Sequence, residues 1–170
     1  MSVTSAALSI IARGEREIVM SREFAAPRRL VFDAWTKPEL VERWFGRLEG
    51  WTTTAEIDLR VGGVFRFTMQ DAGGAKIVFR GEYREIAAPE RLVTAEGYEG
   101  FSETGWRPED ATVTTTIFTE SKGRTTWTAT SRYPSKMVRD AVLNDPNMRE
   151  GMNAGFAAMD AVLRDIEGRR

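Results

Sequence analysis

The sequence predicts an α+β helix-grip: a curved antiparallel sheet of about seven strands in the order β-α-α-β6-α, wrapped around a long C-terminal helix. Three observations carry this. Two short helical patterns follow a single strand between residues 26 and 46. Strand-length runs between 55 and 133 then succeed one another through short turns, which excludes a parallel sheet with helical crossovers. Finally, an apolar stripe at steps of three or four continues from Met148 to Ile166. In this arrangement the space between sheet and last helix is a cavity.

Residues 1–14 read as a flexible leader, and 15–168 as one domain. Glu17–Phe24 has strand character and ends before Pro27. From Pro27, residues Leu30, Val31, Ala34 and Trp35 recur at helical spacing, with Pro at a position that tolerates its missing N–H. Thr36 is placed to cap a second short helix, with Glu39 three residues later and Leu40, Val41, Trp44 and Phe45 as its apolar face; Gly46 ends it. Ala55, Ile57 and Leu59 alternate with charged residues, and after Gly62-Gly63 so do Phe65, Phe67 and Met69. Ile77, Phe79, Gly81 and Tyr83 make the next strand, which Ala88-Pro89 breaks before Leu92–Tyr98. Thr112–Thr119 and Arg124–Tyr133, turned at Ser121-Lys122-Gly123, form the last hairpin. A short helix over 135–143 precedes the long one, which Asp145-Pro146 opens as cap and first-turn proline.

Composition bounds the chemistry. The 170 residues are 42% hydrophobic and 29% charged with a formal net charge of −1, ordinary for one globular domain and weakly suited to nucleic acid. No apolar run is long enough to span a bilayer, so no membrane insertion and a cytoplasmic location are expected. The chain has no Cys and no His. That removes disulfides, thiolate sites, Ser-His-Asp and Cys-His catalysis and the usual metal ligand, leaving carboxylate, Lys, Tyr or Ser chemistry. Neither a metal nor a cofactor is expected.

The cavity residues follow from the elements. Met148, Met152, Phe156 and Met159 line the helix side, where adaptable thioethers suit an apolar ligand as well as plain core packing. Trp35, Trp44, Phe65, Phe67, Met69, Tyr83 and Trp127 line the remainder; if their rings meet in the middle, the cavity is filled. A dry cavity of ~300 Å³ would cost about 7 kcal/mol, comparable to a domain's net stability of ~5–15 kcal/mol, so a real one holds water or ligand. Alternation puts Glu56, Asp58, Arg66, Glu82 and Arg84 on the solvent face unless a bulge near Gly62-Gly63 or Gly81 turns one inward. Arg66 and Glu82 are the candidate polar anchors. Trp106 belongs to a long connection, 97–110, with Tyr98 and Phe101, that has the length of a lid.

The combined run Ala26-Pro27, Val31-Phe32-Asp33-Ala34-Trp35-Thr36, Pro38-Glu39-Leu40, Trp44-Phe45-Gly46 and Asp58–Gly63 resembles the SRPBCC (START, Bet v 1-like) superfamily. More narrowly it is similar to the branch named for the activator of the Hsp90 ATPase, in its C-terminal-domain-like form, with Gly81-Glu82-Tyr83 and Pro89-Glu90-Arg91-Leu92 in keeping. The resemblance implies a helix-grip and binding of a small hydrophobic molecule. Where that branch often has Gly-Trp, this chain has Gly151-Met152, which softens the pocket there. The co-chaperone's extra N-terminal domain carries a His-containing motif that this sequence lacks, so a chaperone partner is not expected. A homodimer is the commonest assembly for such a chain. Two alternatives stand beside ligand binding. A cyclase- or hydrolase-type enzyme using Glu, Arg or Tyr requires an inward carboxylate with a raised pKa. A protein-interaction module, for a co-chaperone or stress-response role, requires a filled core and an exposed apolar patch.

Overall fold

The computed structural model describes residues 7–99 and 110–169. Its elements are β1 (Ser9–Arg13), β2 (Glu17–Phe24), α1 (Arg28–Thr36), α2 (Pro38–Trp44), β3 (Trp51–Ile57), β4 (Val64–Asp71), β5 (Lys76–Ala87), β6 (Arg91–Glu99), β7 (Thr112–Ser121), β8 (Arg124–Arg132), α3 (Lys136–Leu143) and α4 (Pro146–Gly168). All eight strands join one antiparallel sheet in the order β1-β2-β8-β7-β6-β5-β4-β3. The meander β3–β8 is thus closed at one end by β2, whose partner β8 lies more than a hundred residues away in sequence.

Two sequence expectations are corrected. Residues 9–13 are not part of a loose leader: they pair with β2 from Ser9↔Ser21 to Arg13↔Glu17 and form an eighth strand. The short run Ser-Ile-Ile-Ala-Arg shows too little alternation to stand out alone; it is held as an edge by its neighbour. Nor does Thr36 cap the second helix. It is the last residue of α1, buried, and its hydroxyl donates to the Phe32 carbonyl at 2.8 Å, so Lys37 takes the cap position without a side-chain bond.

Other local signals hold. Asp145 accepts from the Asn147 amide at 2.9 Å with Pro146 in the first turn of α4. Lys122 and Gly123, with φ of 53° and 74°, make the two-residue β7–β8 turn. Gly62 has φ +84°, and at Gly63 a side chain would run into the Asp58 carbonyl, so the β3–β4 connection tolerates little else.

Register and burial agree on the inward face of the sheet. Paired inward residues are Phe65 and Gly81, Phe67 and Phe79, Tyr83 and Thr94, Phe118 and Trp127, and Met20 and Ala129. α4 packs this face through Phe156, Met159, Val162 and Leu163, all buried. Gly155 carries no side chain where α4 passes the Trp44 carbonyl, which lets α4 approach α2 closely.

Candidate functional site

At the α1/α2 end the interior is solid. The Trp35 and Trp127 rings stack at 5.5 Å and 9°, Trp44 meets Trp35 edge-on at 4.6 Å, and Phe156, 1% exposed, contacts Trp127 at 5.0 Å and Phe24 at 5.5 Å. Met159 and Met69 are likewise buried. Trp35, Trp44, Trp127, Phe156 and Met159 therefore come together as packing here. Trp44 Nε1 donates to the Ala34 carbonyl at 2.7 Å, whereas the buried Nε1 atoms of Trp35 and Trp127 have no acceptor among the described residues.

The proposed anchors Arg66 and Glu82 lie elsewhere. Arg66 pairs in register with Arg80, and Glu82 with Val64, on the face opposite Phe65 and Phe67. There Arg66 bridges to Glu99 at 3.0 Å and Arg84 to Glu82 at 3.5 Å. The contact with Glu99 raises Arg66 and lowers Glu99. A bulge does exist nearby, between Tyr83 and Glu85, but it comes after Glu82 and so leaves that carboxylate on the outer face. Trp106 and Phe101 lie outside the described residues.

Toward the β4–β5–β6 side the inward face changes character. Phe45, Phe65, Phe67, Phe79 and Tyr98 form a continuous aromatic strip with centroid spacings of 4.9 Å for Phe45–Phe67, 5.6 Å for Phe45–Phe79 and 4.9 Å for Phe79–Tyr98. Phe65 and Phe67 are buried, Phe45 and Phe79 only partly, and Tyr98 is 47% exposed. Met148 and Met152 pack on the core from α4 while also only partly buried.

A carboxyl group stands on this face. Glu96 accepts from the Thr94 hydroxyl at 2.9 Å and from the Thr114 hydroxyl at 2.7 Å; Thr114 in turn meets Ser131 at 2.8 Å. Burial pushes Glu96 above its ordinary value, opposed by the Thr114 and Thr94 hydrogen bonds. Burial, then the Glu96 charge, pushes Tyr98 and Tyr133 up to about 12 and Tyr83 further in the same direction. The inward carboxyl that a catalytic alternative requires is thus present, on a residue sequence reasoning passed over. Its signal was the period of two through Leu92, Thr94, Glu96 and Tyr98, which puts Glu96 on the side of a core leucine.

Surface features are modest by contrast. A depression of about 560 Å³ lies at the α3–α4 turn, lined by Leu143–Pro146, Met148–Glu150 and Asn153, and one of about 360 Å³ lies at the β1–β2 turn. Leu59, Val61 and Val64 are exposed around the β3–β4 turn, the sort of apolar group an interaction module uses. Among the described residues no helix is long and apolar enough to cross a membrane.

Comparison with known proteins adds a family and a set of folds. Residues 25–164 match the family described as Activator of Hsp90 ATPase homolog 1-like protein. A Rhodobacter sphaeroides crystal structure superposes with TM-score 0.81 at 23% identity, covering 94% of this chain and 99% of that one. An Arthrobacter aurescens solution structure gives 0.74 at 28% identity, covering 92% and 91%. An AHSA1-like protein from Aeromonas hydrophila gives 0.63 at 21%, covering 89% and 95%. No curated protein matches the sequence.

Proposed function

The chain belongs to the Activator of Hsp90 ATPase homolog 1-like family, and from that premise we propose that it binds a small, mainly hydrophobic molecule between the sheet and α4. The position is narrower than the sequence suggests. The tryptophan cluster fills one end, so the ligand lies along the partly open strip of Phe45, Phe79 and Tyr98, with Met152 on the helix side and Glu96 at its polar end. The observation that carries this reading is the half-exposed Tyr98 within a continuous row of rings, since burial of such apolar surface contributes ~25 cal/mol per Å².

The test is a fluorescence titration with phenylnaphthylamine. The wild-type protein should bind it, and Met152→Trp should abolish binding while leaving the far-UV circular dichroism unchanged. Binding that survives Met152→Trp contradicts the proposed position.

A second reading, acid–base catalysis at the same place, is supported by Glu96 alone. A carboxyl whose pKa burial raises is suited to donate a proton to a bound substrate. It predicts turnover that falls as pH rises and is lost in Glu96→Gln, with binding retained.

A further inference from the structure

Resting on the ligand-binding reading above, we propose that Glu96, backed by Thr114 and Ser131, is a hydrogen-bond-donating subsite that selects ligands bearing a carbonyl oxygen, such as ketones and esters, over hydrocarbons of the same shape. The placement supports this first. Glu96 lies opposite Gly81 on β5 and Thr112 on β7. Gly81 has no side chain, and the Phe65 ring occupies the space a Cβ would take there. The carboxyl therefore has a ring on one flank and hydroxyls on the other, an apolar strip ending in a polar group.

The charge environment supports it second. The groups that act on Glu96 are its own burial, Thr94 on the same strand and Thr114 on β7. The ionisable groups it acts on in return are Tyr83 on β5, Tyr98 on β6 and Tyr133 just past β8, all phenols held in their neutral form. The helix side presents the uncharged Met148 and Met152 to the core. The cations Arg66 and Arg80 are bound to Glu99 on the other face. Among the described residues no cation is paired with Glu96, and burial favours its neutral form, which is a donor as well as an acceptor.

The relay supplies the third argument. Thr114 lies within hydrogen-bond distance of both Glu96 and Ser131, and hydroxyls can donate or accept. The hydroxyls can thus satisfy the acceptor side of the carboxyl while its proton turns toward a ligand oxygen. A hydrocarbon in the same position would cover that donor without a partner, which is the basis of the discrimination.

The experiment compares acetonaphthone with isopropenylnaphthalene of the same substitution, matched in shape and differing in the carbonyl oxygen. Affinity for the intact protein is measured from tryptophan quenching between about pH 5 and pH 9. Wild type should prefer the ketone by about tenfold at the acidic end and lose that preference as pH rises and Glu96 ionises. Glu96→Gln, whose amide also donates but does not titrate, should keep the preference at every pH. Glu96→Leu should bind both probes alike. Equal affinities in wild type at acidic pH, or a preference in Glu96→Gln that varies with pH as in wild type, would overturn the subsite while leaving ligand binding intact. If neither probe binds wild type, the ligand-binding reading fails and the subsite falls with it.

Discussion

Glu96 gives the protein a pH dependence of definite sign. Its pKa is raised above the ordinary glutamate value of 4.5, so between that value and the folded-state value the native chain binds more protons than the unfolded one. Stability therefore falls as pH rises through that window and levels off above it. Glu17, Glu99, Asp140 and Asp165 act oppositely, because Arg13, Arg66, Lys136 and Arg43 respectively hold them low; what they contribute is lost as pH falls. Urea unfolding of Glu96→Gln across this range should show the high-pH decline removed while the acid decline remains. Identical pH profiles for the two proteins would show that Glu96 ionises in the fold as it does in the unfolded chain. The position was legible in the strand period, but its consequence was not: the Thr114 and Ser131 hydroxyls come from β7 and β8, and only the register brings them to it. Arg66 and Glu82 fail as anchors for the complementary reason. Their alternation already placed them outward, and the bulge that was to turn one inward comes after both.

At the scale of elements, turn chemistry and helix caps read directly from sequence, because each depends on a few neighbouring residues. Asp145-Pro146 and Lys122-Gly123 behave as their types require. Thr36 departs from expectation because the tertiary fold buries it at the end of α1, where bonding back to Phe32 satisfies its hydroxyl. The coupling of β2 to α4 is invisible in sequence, yet Arg22 reaches Asp160 with two bonds, 2.8 and 2.6 Å, and its guanidinium lies 4.7 Å from the Phe24 ring centroid. Arg22 is mostly buried, so removing it leaves a partly covered carboxylate and an uncovered ring. Arg22→Ala should destabilise by ~1–3 kcal/mol in chemical denaturation. A loss within ~0.5 kcal/mol would mean that the pair behaves as a surface ion pair.

For the whole molecule, the order of elements was readable because antiparallel neighbours follow one another in sequence, while the state of the interior was not. The same rings that pattern as a cavity lining also pattern as a core, and Trp35, Trp44, Trp127 and Phe156 take the second role. The rings of that face left partly exposed are Phe45, Phe79 and Tyr98. The most direct test is an amide and side-chain NMR titration of isotope-labelled protein with acetonaphthone. Ligand binding along the strip should give saturable shifts centred on Phe79, Glu96, Tyr98 and Met152. Shifts confined to the outer-face residues Arg66 and Glu82 or to the α3–α4 depression, or no saturable shift at all, would contradict it.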